Sequence, residues 1–185
     1  MKLKMRPLHR MTYIALLAAL AMMCMLLFGI KLIPGASYLK YDPSGGVILL
    51  CGLLLGPAAG LECTLVKNIL YFLVHGGSPY GHISEFLATA TLVFVATFLA
   101  HRFRAGGTKR ILCCAVGCLA ATLIMIPANY VILHLQYGMS AEAVSASMIY
   151  IIPFNLLKTV LNSAVALILY RPVRRALEKI LKIGE

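Results

Sequence analysis

The stretch "MIYIIPFNLLKTVLNSAVALILY" (148–170) is almost all hydrocarbon, yet it carries Asn155 and Lys158 three residues apart. A run of this length has one natural solvent. About 20 helical residues cross the roughly 30 Å hydrocarbon core of a bilayer, so the segment reads as a transmembrane helix. An amide and an ammonium are costly there, and intramembrane polar groups of this kind mark functional sites by default.

The rest of the chain has the same character. Of its 185 residues 61% are hydrophobic and only 12% charged, with no Trp and a mean hydropathy of +0.90. Further apolar runs occupy 13–30, 47–55, 69–74, 87–100 and 111–126. With the run at 148–170 they define an all-α integral membrane protein: a single domain over 1–185, with six transmembrane helices between 11 and 170. Basic segments at 1–10 and 171–185 flank the helices.

The net charge of +11 raises the question of nucleic acid, and its distribution answers it. Most of the 17 Lys and Arg side chains fall in three short clusters: Lys2, Lys4, Arg6 and Arg10; Arg102, Arg104, Lys109 and Arg110; Arg171, Arg174, Arg175, Lys179 and Lys182. Such juxtamembrane clusters are the signature of cytoplasmic loops and meet anionic lipid heads. No basic stripe is left over for DNA. Both termini are therefore expected in the cytoplasm, and the first run, too long for the apolar core of a signal peptide, is expected to be a retained span.

With the basic segments inside, the path follows. Helices are expected at about 11–31, 45–55, 58–74, 82–101, 111–134 and 147–170, with outer loops at 31–43, 75–81 and 136–144. The Gly56-Pro57 pair turns the chain at the inner face. The six Cys lie in or beside apolar runs without C-x-x-C spacing, as small buried side chains do. No phosphate-cradling G-x-x-x-x-G-K-[ST] loop is present, so any ATP-driven movement requires another chain. Paired carboxylates and His-x-x-x-His spacing are also missing, which speaks against an intramembrane enzyme.

Asn155, Lys158 and Asn162 share one helix face. Asn129 sits near the outer end of the fifth helix, Glu85 near the outer start of the fourth, and Asp42 closes the first outer loop. A pocket open to the outside would collect these groups. Local readings compete: Asn155 and Asn129 bonding carbonyls freed by Pro153 and Pro127, Lys158 snorkelling, and Lys67 and Asn68 acting as structural glue with Glu62 or another helix. His75, His82, His101 and His134 read as interfacial.

The run "YLKYDPSGGVILLCGLLLGPAAGLECTLVKNILYFL" (38–73), with "NYVIL" at 129–133 and "PFNLLK" at 153–158, resembles the substrate-binding S components of energy-coupling factor (ECF) vitamin transporters, most of all the riboflavin-specific ones. The resemblance spans nearly the whole chain. It implies a passive protein of the cell membrane that captures its vitamin from outside, without cofactor or metal. Uptake would need a transmembrane T component and two cytoplasmic ATPases, the T component meeting the small residues Ala15 and Ala19 of the first helix. It assigns substrate binding to Asn129, Asn155, Lys158 and Glu85, with Leu39, Tyr41 and Asp42 of the loop motif. The flavin ring edge alternates carbonyl and N–H groups, which suits Asn amides and a Lys donor. Two positions depart from the riboflavin members. Gly45 lies where an acidic residue follows the loop Asp, and Glu85 replaces an Asn. An S component for another vitamin or a flavin-related solute is the alternative they leave open.

Overall fold

The computed structural model describes residues 7–31 and 39–183. The basic stretch 1–6 and the loop stretch 32–38, with Pro34 and Gly35, lie outside the described residues. Among the described residues six helices run in order: α1 (Pro7–Leu27), α2 (Ser44–Leu55), α3 (Pro57–His75), α4 (Pro79–Arg102), α5 (Gly107–Tyr137) and α6 (Ala141–Ile183). Between α1 and α2, strands β1 (Ile30–Lys31) and β2 (Lys40–Tyr41) pair antiparallel, Ile30 opposite Tyr41 and Lys31 opposite Lys40.

Five of the helices are long and apolar enough to cross a membrane. The exception is α2, whose 12 residues rise only about 18 Å. All 12 are buried. It packs against α1, α3, α4 and α6, and Ile48, Leu49, Cys51 and Leu54 are all but inaccessible at the centre of the larger core. Enclosed on every side by protein, α2 need not match the full bilayer thickness.

Expected and observed elements differ mostly at their ends. The first helix begins at Pro7 and stops at Leu27, before 31, because the chain then enters the β1–β2 pair. The last helix is the larger correction. It starts at Ala141 and continues past 170 to Ile183, so the basic segment at 171–185 is for the most part helical rather than a separate tail. Pro172 does not end it, since a proline costs a helix one hydrogen bond and a kink, which a long packed helix tolerates. Proline also marks starts: Pro57 and Pro79 sit at the first positions of α3 and α4, where the missing N–H costs nothing.

The "GPAAG" turn (56–60) has a packing reason. Gly56 joins α2 to α3 with φ of 108°, open to glycine and strained for other residues. Gly60 then brings α3 against α2 and α4. A Cβ on it would lie 2.4 Å from Val93 Cγ1 and 3.0 Å from Gly52 Cα. Gly60→Val is expected to cost about 1–3 kcal/mol by overpacking, read as a fall of several degrees in Tm of the detergent-purified protein. At the same end His101 Nε2 lies 3.1 Å from the Gly52 carbonyl, tying α4 to α2. The cysteines are free thiols, all but Cys24 buried.

Candidate functional site

At the opposite end of the bundle, under β2, the α3–α4 loop and the ends of α5 and α6, lies a cavity of about 290 Å³. Its wall takes in Leu39, Asp42, Glu85, Asn129, Asn155 and Lys158, so six of the seven side chains expected at the binding site meet in one hollow. The seventh, Tyr41, is not part of the wall. Its ring packs against a small second core of Leu39, Leu133, Val144, Ile151 and Phe154. Burial, and then the Asp42 carboxylate beside it, push the Tyr41 phenol above its usual range, so it stays neutral at ordinary pH.

The floor of the cavity is a buried network of four charges. Lys158 Nζ is 2.5 Å from Glu85 Oε2 and 3.7 Å from Asp42 Oδ2. Lys67 Nζ reaches Glu85 Oε1 from the other side at 3.2 Å. The same oxygen accepts a hydrogen bond from Thr89 Oγ1 at 3.0 Å. Asp42 is held in turn by the first turn of α2, its Oδ1 accepting from the Ser44 backbone N–H at 3.0 Å. Two ammonium and two carboxylate groups cancel, which is how a low-dielectric interior accommodates them. The network joins α3, α4, α6 and the segment leading into α2.

Several local readings are settled here. Lys158 does not snorkel; it is paired across the bundle. Lys67, fully buried, is the glue residue, but its partner is Glu85 on α4, with Met25 Sδ 3.6 Å away on α1. Glu62 pairs instead with Arg10 at 3.0 Å, on the exposed surface of the bundle. Asn68 donates to the Thr64 carbonyl at 2.9 Å. Thr159 bonds locally to the Asn155 and Leu156 carbonyls.

Asn155 Nδ2 donates to the Ile151 carbonyl at 3.0 Å and Asn129 Nδ2 to the Met125 carbonyl at 2.7 Å. Each is the carbonyl four residues back, not the one released by the nearby proline. These bonds set the side-chain orientation on the pocket wall and leave the amide oxygen and one N–H of each Asn for a guest. With α6 starting at Ala141, Asn155 and Lys158 lie about 21 and 26 Å along the helix from its first residue, deeper than a start at 147 implies.

The histidines divide. His75 and His82 line the cavity and cluster with Tyr71, ring centroids 5.0 and 5.5 Å from it. Both sit at span ends, as an interfacial placement has them, and the Gly76-Gly77 turn, both glycines at positive φ, brings the α3–α4 loop onto the pocket wall beside them. No spacing in the sequence signals that. His134 stays at the end of α5, with Nδ1 2.9 Å from the Met139 carbonyl.

Gly45, the first departure from the riboflavin members, is not on the pocket wall. A Cβ there would lie 2.6 Å from Asn162 Nδ2, so α2 and α6 touch at this point. Ala15 and Ala19 are exposed on α1, while their neighbours Ala18 and Ala21 are buried in the core. Only 17% of the most apolar window of α1 is buried, against 39–44% in the other long helices.

A helical membrane bundle with a polar-floored pocket at one end, and no nucleotide loop of its own, is a solute-binding membrane protein. The chain belongs to the substrate-specific components of ECF transporters, whose family model matches residues 9–170. It is 31% identical to the riboflavin transporter RibU of Staphylococcus aureus, covering 97% of each chain. It is 25% identical to the riboflavin transporter FmnP of Bacillus subtilis over 92% of this chain and 94% of that one. Its fold matches a solved S component of a bacterial ECF transporter with a TM-score of 0.81 at 30% identity, covering 93% of this chain and 99% of the other. This is a multi-pass membrane protein of a transporter family, not of an enzyme family.

Proposed function

We propose that the chain binds riboflavin with high affinity in the cavity above the charge network, capturing it from outside the plasma membrane. The observation that carries this reading is the meeting of Asn129, Asn155 and Lys158 on one wall. The two amides offer a donor and an acceptor each, and Lys158 a charged donor, against the alternating carbonyl and N–H groups of the flavin edge. Tyr71, Met125 and Phe154 supply apolar surface for the ring. The volume of about 290 Å³ lies at the lower end of the roughly 300–1,000 Å³ of small-ligand pockets.

Binding is passive. A T component and two ATPase subunits supply the energy that reorients the loaded protein, and the exposed Ala15–Ala19 face of α1 meets the T component by close small-residue packing. In the membrane the six helices alternate, with α2 making its crossing inside the protein and both termini cytoplasmic. The basic residues at the α4–α5 turn and the end of α6 support that orientation.

Titration of riboflavin with detergent-purified protein is expected to quench flavin fluorescence to a defined stoichiometry. Asn129→Ala and Asn155→Ala are each expected to weaken binding about 5- to 20-fold, the loss of one buried hydrogen-bonding partner. An absence of quenching at micromolar protein removes riboflavin. Competition by a panel of water-soluble vitamins tests the alternative solute, which the carboxylate of Glu85 keeps in view. The salt bridges of Glu85 to Lys67 and Lys158 favour riboflavin, because they occupy both carboxylate oxygens within the protein.

A further inference from the structure

At the end of the bundle away from the solute pocket, a second hollow of about 330 Å³ lies between the start of α5 and the extension of α6. Its wall holds Arg110, Arg171, Arg174 and Arg175, with Glu178 as its one carboxylate among the described residues. Glu178 is engaged, its Oε1 2.7 Å from Arg174 Nε. Arg171 and Arg175 are exposed and have no carboxylate partner among the described residues. Four guanidinium groups against one carboxylate leave a surplus of three positive charges.

The site is organised rather than diffuse. The guanidinium of Arg110 lies 3.7 Å from the ring centroid of buried Tyr170 and donates through Nη2 to the Ala105 carbonyl at 3.1 Å. Arg174 Nη1 donates to the Tyr170 hydroxyl at 3.1 Å. One buried tyrosine thus sets the positions of two guanidinium groups, one from each helix. Gly107, on the same wall, opens α5, whose start has no capping side chain and carries the partial positive charge of a helix N-terminus.

The surroundings distinguish a lipid from a free anion. Ile168, Arg171 and Arg175 fall on one face of α6, at i, i+3 and i+7, and Ile168 is 73% exposed. On α5, Ile111 and Leu112 are exposed directly after Arg110. On α6 the guanidinium groups therefore adjoin bare hydrocarbon surface, as a headgroup site with acyl chains above it requires. Basic pockets between membrane helices on the cytoplasmic side bind such heads. We infer that this hollow binds the phosphodiester headgroup of an anionic phospholipid of the inner leaflet, held by Arg110, Arg171, Arg174 and Arg175.

The test uses the full chain purified in detergent, with native mass spectrometry to read bound phosphatidylglycerol or phosphatidylcholine. Phosphatidylglycerol is expected to be retained over phosphatidylcholine. Arg171→Gln/Arg175→Gln is expected to lower its retention at least about tenfold, and Arg171→Lys/Arg175→Lys less, since charge survives but the bidentate fork does not. Arg102→Gln/Arg104→Gln removes the same charge from the end of α4 and the turn after it and is expected to change retention by less than about twofold. Riboflavin quenching by each variant reports folding separately. Equal losses from the two Gln pairs would mean diffuse attraction and overturn the site. Inorganic phosphate raising Tm through Arg171 and Arg175, without phosphatidylglycerol retention, would make it a free-anion site. Unchanged retention with loss of T-component or ATPase assembly would assign the face to a protein partner; either result overturns the lipid.

Discussion

Glu85→Ala is expected to destabilise the protein by about 3–5 kcal/mol, the cost of breaking a buried ion pair by removing one partner. Glu85 faces Lys67 at 3.2 Å and Lys158 at 2.5 Å. Lys158 keeps Asp42 at 3.7 Å, but Lys67, fully buried, would retain among the described residues only the weak thioether contact of Met25. An unpaired ammonium at that depth is the source of the cost. Thermal unfolding of the detergent-purified protein measures it. The second change Lys67→Met is expected to restore much of the lost stability, because it removes the orphaned charge and fills the space with a side chain of similar length. A Glu85→Ala protein as stable as the parent, or a double variant no better than the single, would show that the network does not hold the helices together.

Lys158→Ala acts on the solute as well as on the network. It removes a charged donor from the pocket wall and leaves Asp42 without its ammonium and Glu85 with Lys67 alone, beside a guest rich in carbonyl oxygens. A hydrogen bond from a charged group is worth about 1.5–3 kcal/mol, and the uncovered negative charge adds repulsion, so riboflavin affinity is expected to fall about 100-fold or more. Fluorescence titration reads the change directly. Lys158→Arg is not expected to rescue it fully, since the planar guanidinium cannot take the position of a compact ammonium between two carboxylates. Binding by Lys158→Ala as tight as the parent's would refute the role of this lysine.

How the site was legible differs residue by residue. Asn155 and Lys158 stand out because hydrocarbon makes any polar group conspicuous, and Asn129 does for the same reason. Lys67 stood out equally, yet its partner could not be read. Glu62, five residues away, does not share its helix face, and nothing in sequence links Lys67 to Glu85, 18 residues on and on another helix. His75 and His82 lie at span ends as expected, but their place on the pocket wall depends on a glycine turn whose direction is a matter of φ rather than of residue type.

Local chemistry alone determined that the chain lives in lipid, where its helices lie, and which few side chains are too polar for their surroundings. Hydropathy and charge clustering are additive along the chain, so they survive without knowledge of neighbours. Packing decided the rest: that α2 is wholly enclosed, that α6 runs on to Ile183, and that four charges from α3, α4, α6 and the entry to α2 cancel at one point. Coulomb pairing and steric contact depend on distance in space, and residues 18 to 116 positions apart acquire a distance only when the chain has folded.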